Sequence, residues 1–156
     1  MSEKESVQKL WDKFCENNPE INPKISFQLW YFGNTSEMAK ELAELVISGK
    51  KTATASLAEV NKLKPEFAPI PDGYSIVTDF ERNPLCVIQT TEIRHLPFDE
   101  VDAQFAFDEG GGDLSLKYWR KVHWKYFTKE AKELGIEFNE KSLICCERFK
   151  LLFSKL

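Results

Sequence analysis

At Gly49 the chain changes period, and this limits what it can fold into. Before that point Met38, Ala39, Leu42, Ala43 and Val46 recur at helical spacing and form one apolar stripe. Asn34 or Thr35 stands at the N-cap, Glu37 sits in the first turn, and Gly49 takes the usual stop position. Immediately afterwards Lys51-Thr52-Ala53-Thr54-Ala55-Ser56-Leu57 reads as a strand. Tyr74 to Thr78 and Leu85 to Ile93 are β-rich around the turn residues Asp79 to Pro84, which predicts a hairpin. Ser2 to Glu5 reads as a capping box for a short first helix bearing Val7, Leu10, Trp11 and Phe14. Phe98 to Phe107 is ambiguous and fits a short helix. Gly110-Gly111-Gly112 breaks the chain, and Asp113 is the expected cap of a long helix from Leu114 to Leu134. Leu143 to Phe153 closes the chain as a strand. No regular strand–helix–strand alternation runs through this order. That disfavours a doubly wound sheet and predicts an α+β fold with a small, mostly antiparallel, barrel-like sheet.

The length of 156 residues fits one compact domain. A net charge of −4 counts against non-specific coating of duplex nucleic acid, which runs on many Lys and Arg contacts to phosphate. Cys15, Cys86, Cys145 and Cys146 have no C-x-x-C spacing and read as reduced, mostly buried thiols. With only His95 and His123 beside them, no metal site is expected and neither histidine is assigned a role. The first residues carry no apolar signal-peptide core, and no apolar run is long enough for a membrane span, so the expected location is cytoplasmic.

Three groups of residues carry candidate chemistry. Lys51 and Thr54 lie where helix gives way to strand. A desolvated Lys is able to take the proton of a hydroxyl nucleophile, although on spacing alone a solvated Lys and a strand-forming Thr are the favoured explanation. Residues three apart on a regular strand face opposite sides, so the pair meets only if the strand starts after Lys51 or carries a bulge. Asp108, Glu109 and Asp113 flank the glycine run, as general acid–base groups or as a cap with solvated neighbours. Lys117, Arg120, Lys121 and Lys125 interleave with Tyr118 and Trp124, a pattern that suits a single strand or a nucleotide and also an ordinary solvated helix face. Trp30-Tyr31-Phe32-Gly33 is either core or a base pocket. Gly49-Lys50-Lys51-Thr52 is not a P-loop, because position 44 is Glu and the segment follows a helix.

Taken in order, WYFGNTSEMAKELAELVISGKKTATASL, GYSIVTDFERNPLCVIQTTEI, PFDEV, FAFDEGGGDLSLKYWRKVHW and CCERFKLLF resemble the bacterial ASCH-domain proteins, most of all their larger stand-alone subgroup. The resemblance covers about residues 27 to 153 and sets residues 1–26 apart as a helical extension before an ASCH domain at 27–156. It implies a fold like the RNA-binding PUA domain, a small β-barrel flanked by helices beside a cleft. It also implies a nucleoside or single-stranded RNA as partner, with no cofactor. One smaller relative in the family is an amidohydrolase that removes the acetyl group from N4-acetylcytidine, and another member is a ribonuclease. By resemblance the amidohydrolase roles fall on Lys51 as base, Thr54 as nucleophile and Glu109 as proton shuttle. Tyr31, Phe32 and Trp119 are then expected to stack a base, and Arg120 to make a polar or phosphate contact. A non-catalytic RNA-binding module and a ribonuclease using the same cleft are the alternatives.

Overall fold

The computed structural model describes residues 1–155. Helix α1 (Glu3–Glu16) is followed by β1 (Phe27–Trp30), α2 (Ser36–Ile47), β2 (Ala53–Leu57), α3 (Ala58–Leu63), β3 (Tyr74–Thr78) and β4 (Pro84–Pro97). Then come α4 (Ala103–Glu109), α5 (Leu116–Leu134) and β5 (Leu143–Ser154), with single 3-10 turns at Pro65–Phe67 and Phe98–Glu100. Local chemistry fixes the helix starts. Ser2 Oγ accepts from Glu5 N, and Thr35 Oγ1 accepts from Met38 N, so Thr35 is the cap of α2. The long helix begins later than its sequence predicts. Leu114 takes a positive φ of 69° and stays outside it, Ser115 Oγ caps Tyr118 N, and Asp113 instead accepts from Ser115 N.

The strands form one sheet in the order β1-β3-β4-β5-β2, parallel between β1 and β3 and antiparallel elsewhere. The fold is therefore α+β and mostly antiparallel, as expected, but the sheet stays open. Among the described residues no ladder joins β1 to β2, and the barrel expectation is corrected to a bent open sheet. Two irregularities in the β4–β5 pairing, at Val87/Ile88 and at Thr90/Glu92, do the bending.

That bend divides the core. On one half, neighbouring residues of β3 and β4 point to opposite faces. Ile76 and Val87 pack with Val7, Leu10, Trp11 and Phe14 of α1, while Val77, Cys86 and Ile88 pack with Ala43 and Val46 of α2. On the other half, Ala53, Leu57, Ile144 and Cys146 pack against Phe105 of α4 and Trp119, Phe127 and Ala131 of α5. All four cysteines are buried free thiols. No helix among the described residues is long and apolar enough to cross a membrane.

Candidate functional site

Where the two halves meet, the turn after α2 is pinned from three directions. The amides of Lys50 and Lys51 both donate to Leu45 O, Thr52 N donates to Asp108 O, and Phe149 N donates to Thr52 O. Strand β2 starts only at Ala53, so Lys51 lies in the turn before it. This removes the alternation problem, and Lys51 and Thr54 line the same cavity. Glu109 is the last residue of α4, and Gly110 follows as a left-handed C-cap that turns the chain away.

Lys51 is only 3% exposed and Glu109 only 6%. A buried ammonium needs every proton placed, and Lys51 Nζ has three acceptors: Ala53 O at 2.8 Å, Glu109 Oε1 at 3.0 Å and Glu109 O at 3.3 Å. The other carboxylate oxygen, Glu109 Oε2, accepts from the Trp119 indole N–H and lies 3.1 Å from His123 Nε2. His123 Nδ1 in turn faces Trp119 O at 2.9 Å. Both ring nitrogens thus face acceptors, whereas a neutral imidazole has one N–H. Burial alone pushes the Glu109 carboxyl up, but the Lys51 and His123 charges, with hydrogen bonds from His123 and Trp119, outweigh it and bring it down to about 2.

A carboxyl held below its ordinary 4.5 stabilises the fold fully above that value and loses the contribution as pH falls towards about 2. The melting-temperature gap between wild type and Glu109→Gln is expected to stay level at neutral pH and to narrow only in that acid window. A gap that closes already near neutrality contradicts the arrangement.

The first cavity holds about 240 Å³ and is walled by Phe32, Met38, Tyr118, Trp119, Val122 and Tyr126, with Lys51, Glu109 and His123 inside. A second, of about 330 Å³, contains Trp30, Tyr31, Ser56, Asn61, Lys64, Arg82, Glu130 and Glu147. Phe32, Gly33, Thr54, Ala55 and Tyr126 border both, so Thr54 sits between two lobes of one cleft. Carboxylates match or outnumber the Lys and Arg side chains in each lobe: Lys51 beside Glu41 and Glu109 in the first, Lys64 and Arg82 beside Glu130 and Glu147 in the second. The cleft is not a basic groove.

The sequence-predicted residues divide accordingly. Lys51, Thr54 and Glu109 come together in the first lobe, Phe32 borders both lobes and Tyr31 lines the second. Trp119 is present in another capacity. His123 stacks on its ring at 4.2 Å, and its N–H is given to Glu109, so it builds the charge network and offers no free face for a base on that side. Arg120 lines neither lobe. Its guanidinium donates to Asp99 O and Val101 O, tying α5 to the turn before α4, a place that lends the expected polar or phosphate contact no support. His123, given no role from sequence, is the residue that was missed. Its spacing of four from Trp119 puts both on one helix face, and that is the signal that would have found it. The described residues contain no group of His, Cys, Asp and Glu suited to a metal ion.

The chain is thus a small α+β domain whose open sheet carries a cleft lined by Thr54 and a buried Lys51–Glu109 pair. The chain belongs to the ASCH-domain family, whose model matches residues 28–152. Two solved structures share the whole fold. The ASCH domain from Lactobacillus crispatus JV V101 is 30% identical, with a TM-score of 0.85 over 96% of this chain and 95% of its own. Protein EF3133 from Enterococcus faecalis V583 is 30% identical, with a TM-score of 0.86 over 96% of this chain and 90% of its own. None of the curated proteins matches the chain.

Proposed function

We propose that the cleft binds a nucleoside, free or as an unpaired nucleotide of single-stranded RNA, and hydrolyses an acyl amide on its base, as in N4-acetylcytidine. One observation carries this reading: Thr54 opens on the same cavity as the buried Lys51–Glu109 pair. The lack of any excess of Lys and Arg over carboxylates in the cleft favours an uncharged ligand over a phosphate-rich strand, and the aromatic walls suit a flat ring. The likeness of ASCH domains to the RNA-binding PUA fold supports the same ligand class. Four buried thiols fit a reducing, cytoplasmic setting.

In the resting state Lys51 is the donor of three hydrogen bonds in an ionised pair, so it acts as a base only from the minor neutral form of that pair, in which one proton has passed to Glu109 Oε1 against the lowered pKa of its carboxyl. The neutral amine then takes the Thr54 proton as Oγ attacks the acyl carbon. The tetrahedral adduct collapses, the C–N bond breaks, and Glu109 returns its proton to the leaving amine. Lys51 is left charged, Glu109 ionised and Thr54 acylated. Water cleaves that ester along the reverse proton path and frees the carboxylic acid.

Threonine 54 gives the cleanest test, because it is part-exposed and makes none of the Lys51 contacts. Purified protein incubated with N4-acetylcytidine is expected to release cytidine, read by chromatography. Thr54→Ala should lower the rate by several orders of magnitude, up to about 10⁶-fold, the loss measured when a hydrolase loses its nucleophile, and Thr54→Ser should keep most of it. Equal turnover by Thr54→Ala removes the nucleophile from the scheme. Absence of cytidine with every form moves the reading to a binding module, or to a ribonuclease if RNA is cut while its nucleosides stay intact.

A further inference from the structure

The second lobe contains a carboxylate that the proposed reaction does not use. Glu147 lies on β5 as the register partner of Thr54 on β2, so the two side chains project from the same face of the sheet. It is 7% exposed and lines the second lobe. One oxygen, Oε2, accepts from Thr90 Oγ1 at 2.6 Å. That bond fixes the carboxyl plane, and Thr90 is itself held by its backbone N–H to Gly73 O. The other oxygen, Oε1, has no hydrogen bond among the described residues, yet it is not sealed off from the cavity. The cations of this lobe, Lys64 and Arg82, are not paired with it: neither forms an ion pair with Glu147. A nearly buried acceptor held rigid by one bond and open on one oxygen is costly unless something donates to it. Nearby, Asn61 Nδ2 donates to Ser56 Oγ, which holds a second polar pair against the same wall.

We infer that Glu147 is a specificity-determining residue that reads an N–H donor on the ligand, so the second lobe selects a base carrying an exocyclic amino group on the edge that faces β5. A carboxylate accepts from the N4 amino group of cytosine and repels the O4 carbonyl of uracil. Thr54 lies between this lobe and the Lys51–Glu109 pair, so a base held by Glu147 in one lobe presents a substituent to the other. The inference rests on the nucleoside reading above, but on its binding half only. It stands or falls without any turnover.

Calorimetric titration of the intact protein with cytidine, N4,N4-dimethylcytidine and uridine decides it. Wild type is expected to prefer cytidine over both others by roughly 5- to 150-fold, the range of one good base-edge contact. Glu147→Gln keeps an acceptor for Thr90 and presents an amide N–H₂ to the lobe, so it should lose the cytidine preference and move towards uridine. An unchanged preference in Glu147→Gln overturns the inference and leaves the nucleoside site standing. So does equal binding of cytidine and dimethylcytidine by wild type, a comparison that decides the matter even if the variant does not fold. Failure of every nucleoside to bind overturns both readings. A trinucleotide with a central C, titrated in parallel, separates the sources: tighter binding than cytidine assigns the base to RNA, equal binding to a free nucleoside, and each outcome upholds the base-reading role.

Discussion

Glu109→Leu is expected to cost the fold about 3–5 kcal/mol, the loss typical of stripping one partner from a buried ion pair. The substitution leaves the Lys51 ammonium, 3% exposed, with two carbonyl oxygens and no counter-charge. It also leaves the Trp119 and His123 N–H groups without the acceptor that both face. Most of the penalty is the stranded Lys51 charge, so a second substitution should recover it. Lys51→Met in the same chain replaces the pair with apolar groups of similar length, and such replacements are often neutral. Urea unfolding of the two single variants and the double variant forms a complete cycle. Should Glu109→Leu unfold within about 0.5 kcal/mol of wild type, the range of an ordinary surface change, the buried pair is not formed in solution.

The second large effect falls on the glycine run. Gly110→Ala would place a Cβ 2.6 Å from Lys50 O and 3.0 Å from Lys50 C, both backbone atoms of a turn already pinned on three sides. Its φ of +77° adds the ~1–2 kcal/mol that an L-residue pays in the left-handed region. With the clash included, a total loss above ~2 kcal/mol is expected. The displaced atoms lead directly to Lys51, so ligand affinity and stability should fall together. Gly112→Ala, at a φ of +55°, carries the same left-handed cost and so provides the contrast in the clash alone. Its Cβ would meet the Tyr118 ring at 2.3 Å, and that obstacle is the end of a side chain at the mouth of the first lobe. Melting temperature should fall less there, while binding changes through a moved Tyr118. Equal, small effects at both positions would mean that the turn holding Lys51 yields easily.

Much of this arrangement is legible in the sequence, for identifiable reasons. The α2 stripe, its Thr35 cap and the stop at Gly49 are local signals and appear as expected. So does the β3–β4 hairpin, although β4 runs on to Pro97. The meeting of Lys51 with Thr54 depends on where β2 begins, and the start at Ala53 settles it. Other features have no local signature. Strand β1 is four half-buried residues that pair in parallel with β3, a contact set by the whole fold. Helix α3 is six residues without a side-chain cap. Asp113 loses the capping position to Ser115 because Leu114 adopts a positive φ, which nothing in its side chain announces. Arg120 and Trp119 lie next to each other on α5, yet one side chain enters the charge network and the other turns to backbone carbonyls. Nor does the pattern of strands reveal that the sheet stays open.

The length of β4 has a consequence for how the cleft admits its ligand. This single strand of 14 residues pairs with β5 from Cys86↔Ser154 to Pro97↔Leu143, and so runs through both halves of the core. Val87 belongs to the half under α1, and Leu96 packs with the half under α5. Two halves stitched by one strand pair, its ladder interrupted only at the two irregularities, have no connecting loop about which to part. Amide protons along that ladder should exchange only through global unfolding, whichever half they sit in. Entry is then left to side-chain rotations at the rim, chiefly of Tyr118 and Met38, on a nanosecond scale or faster, and not to a slower parting of domains.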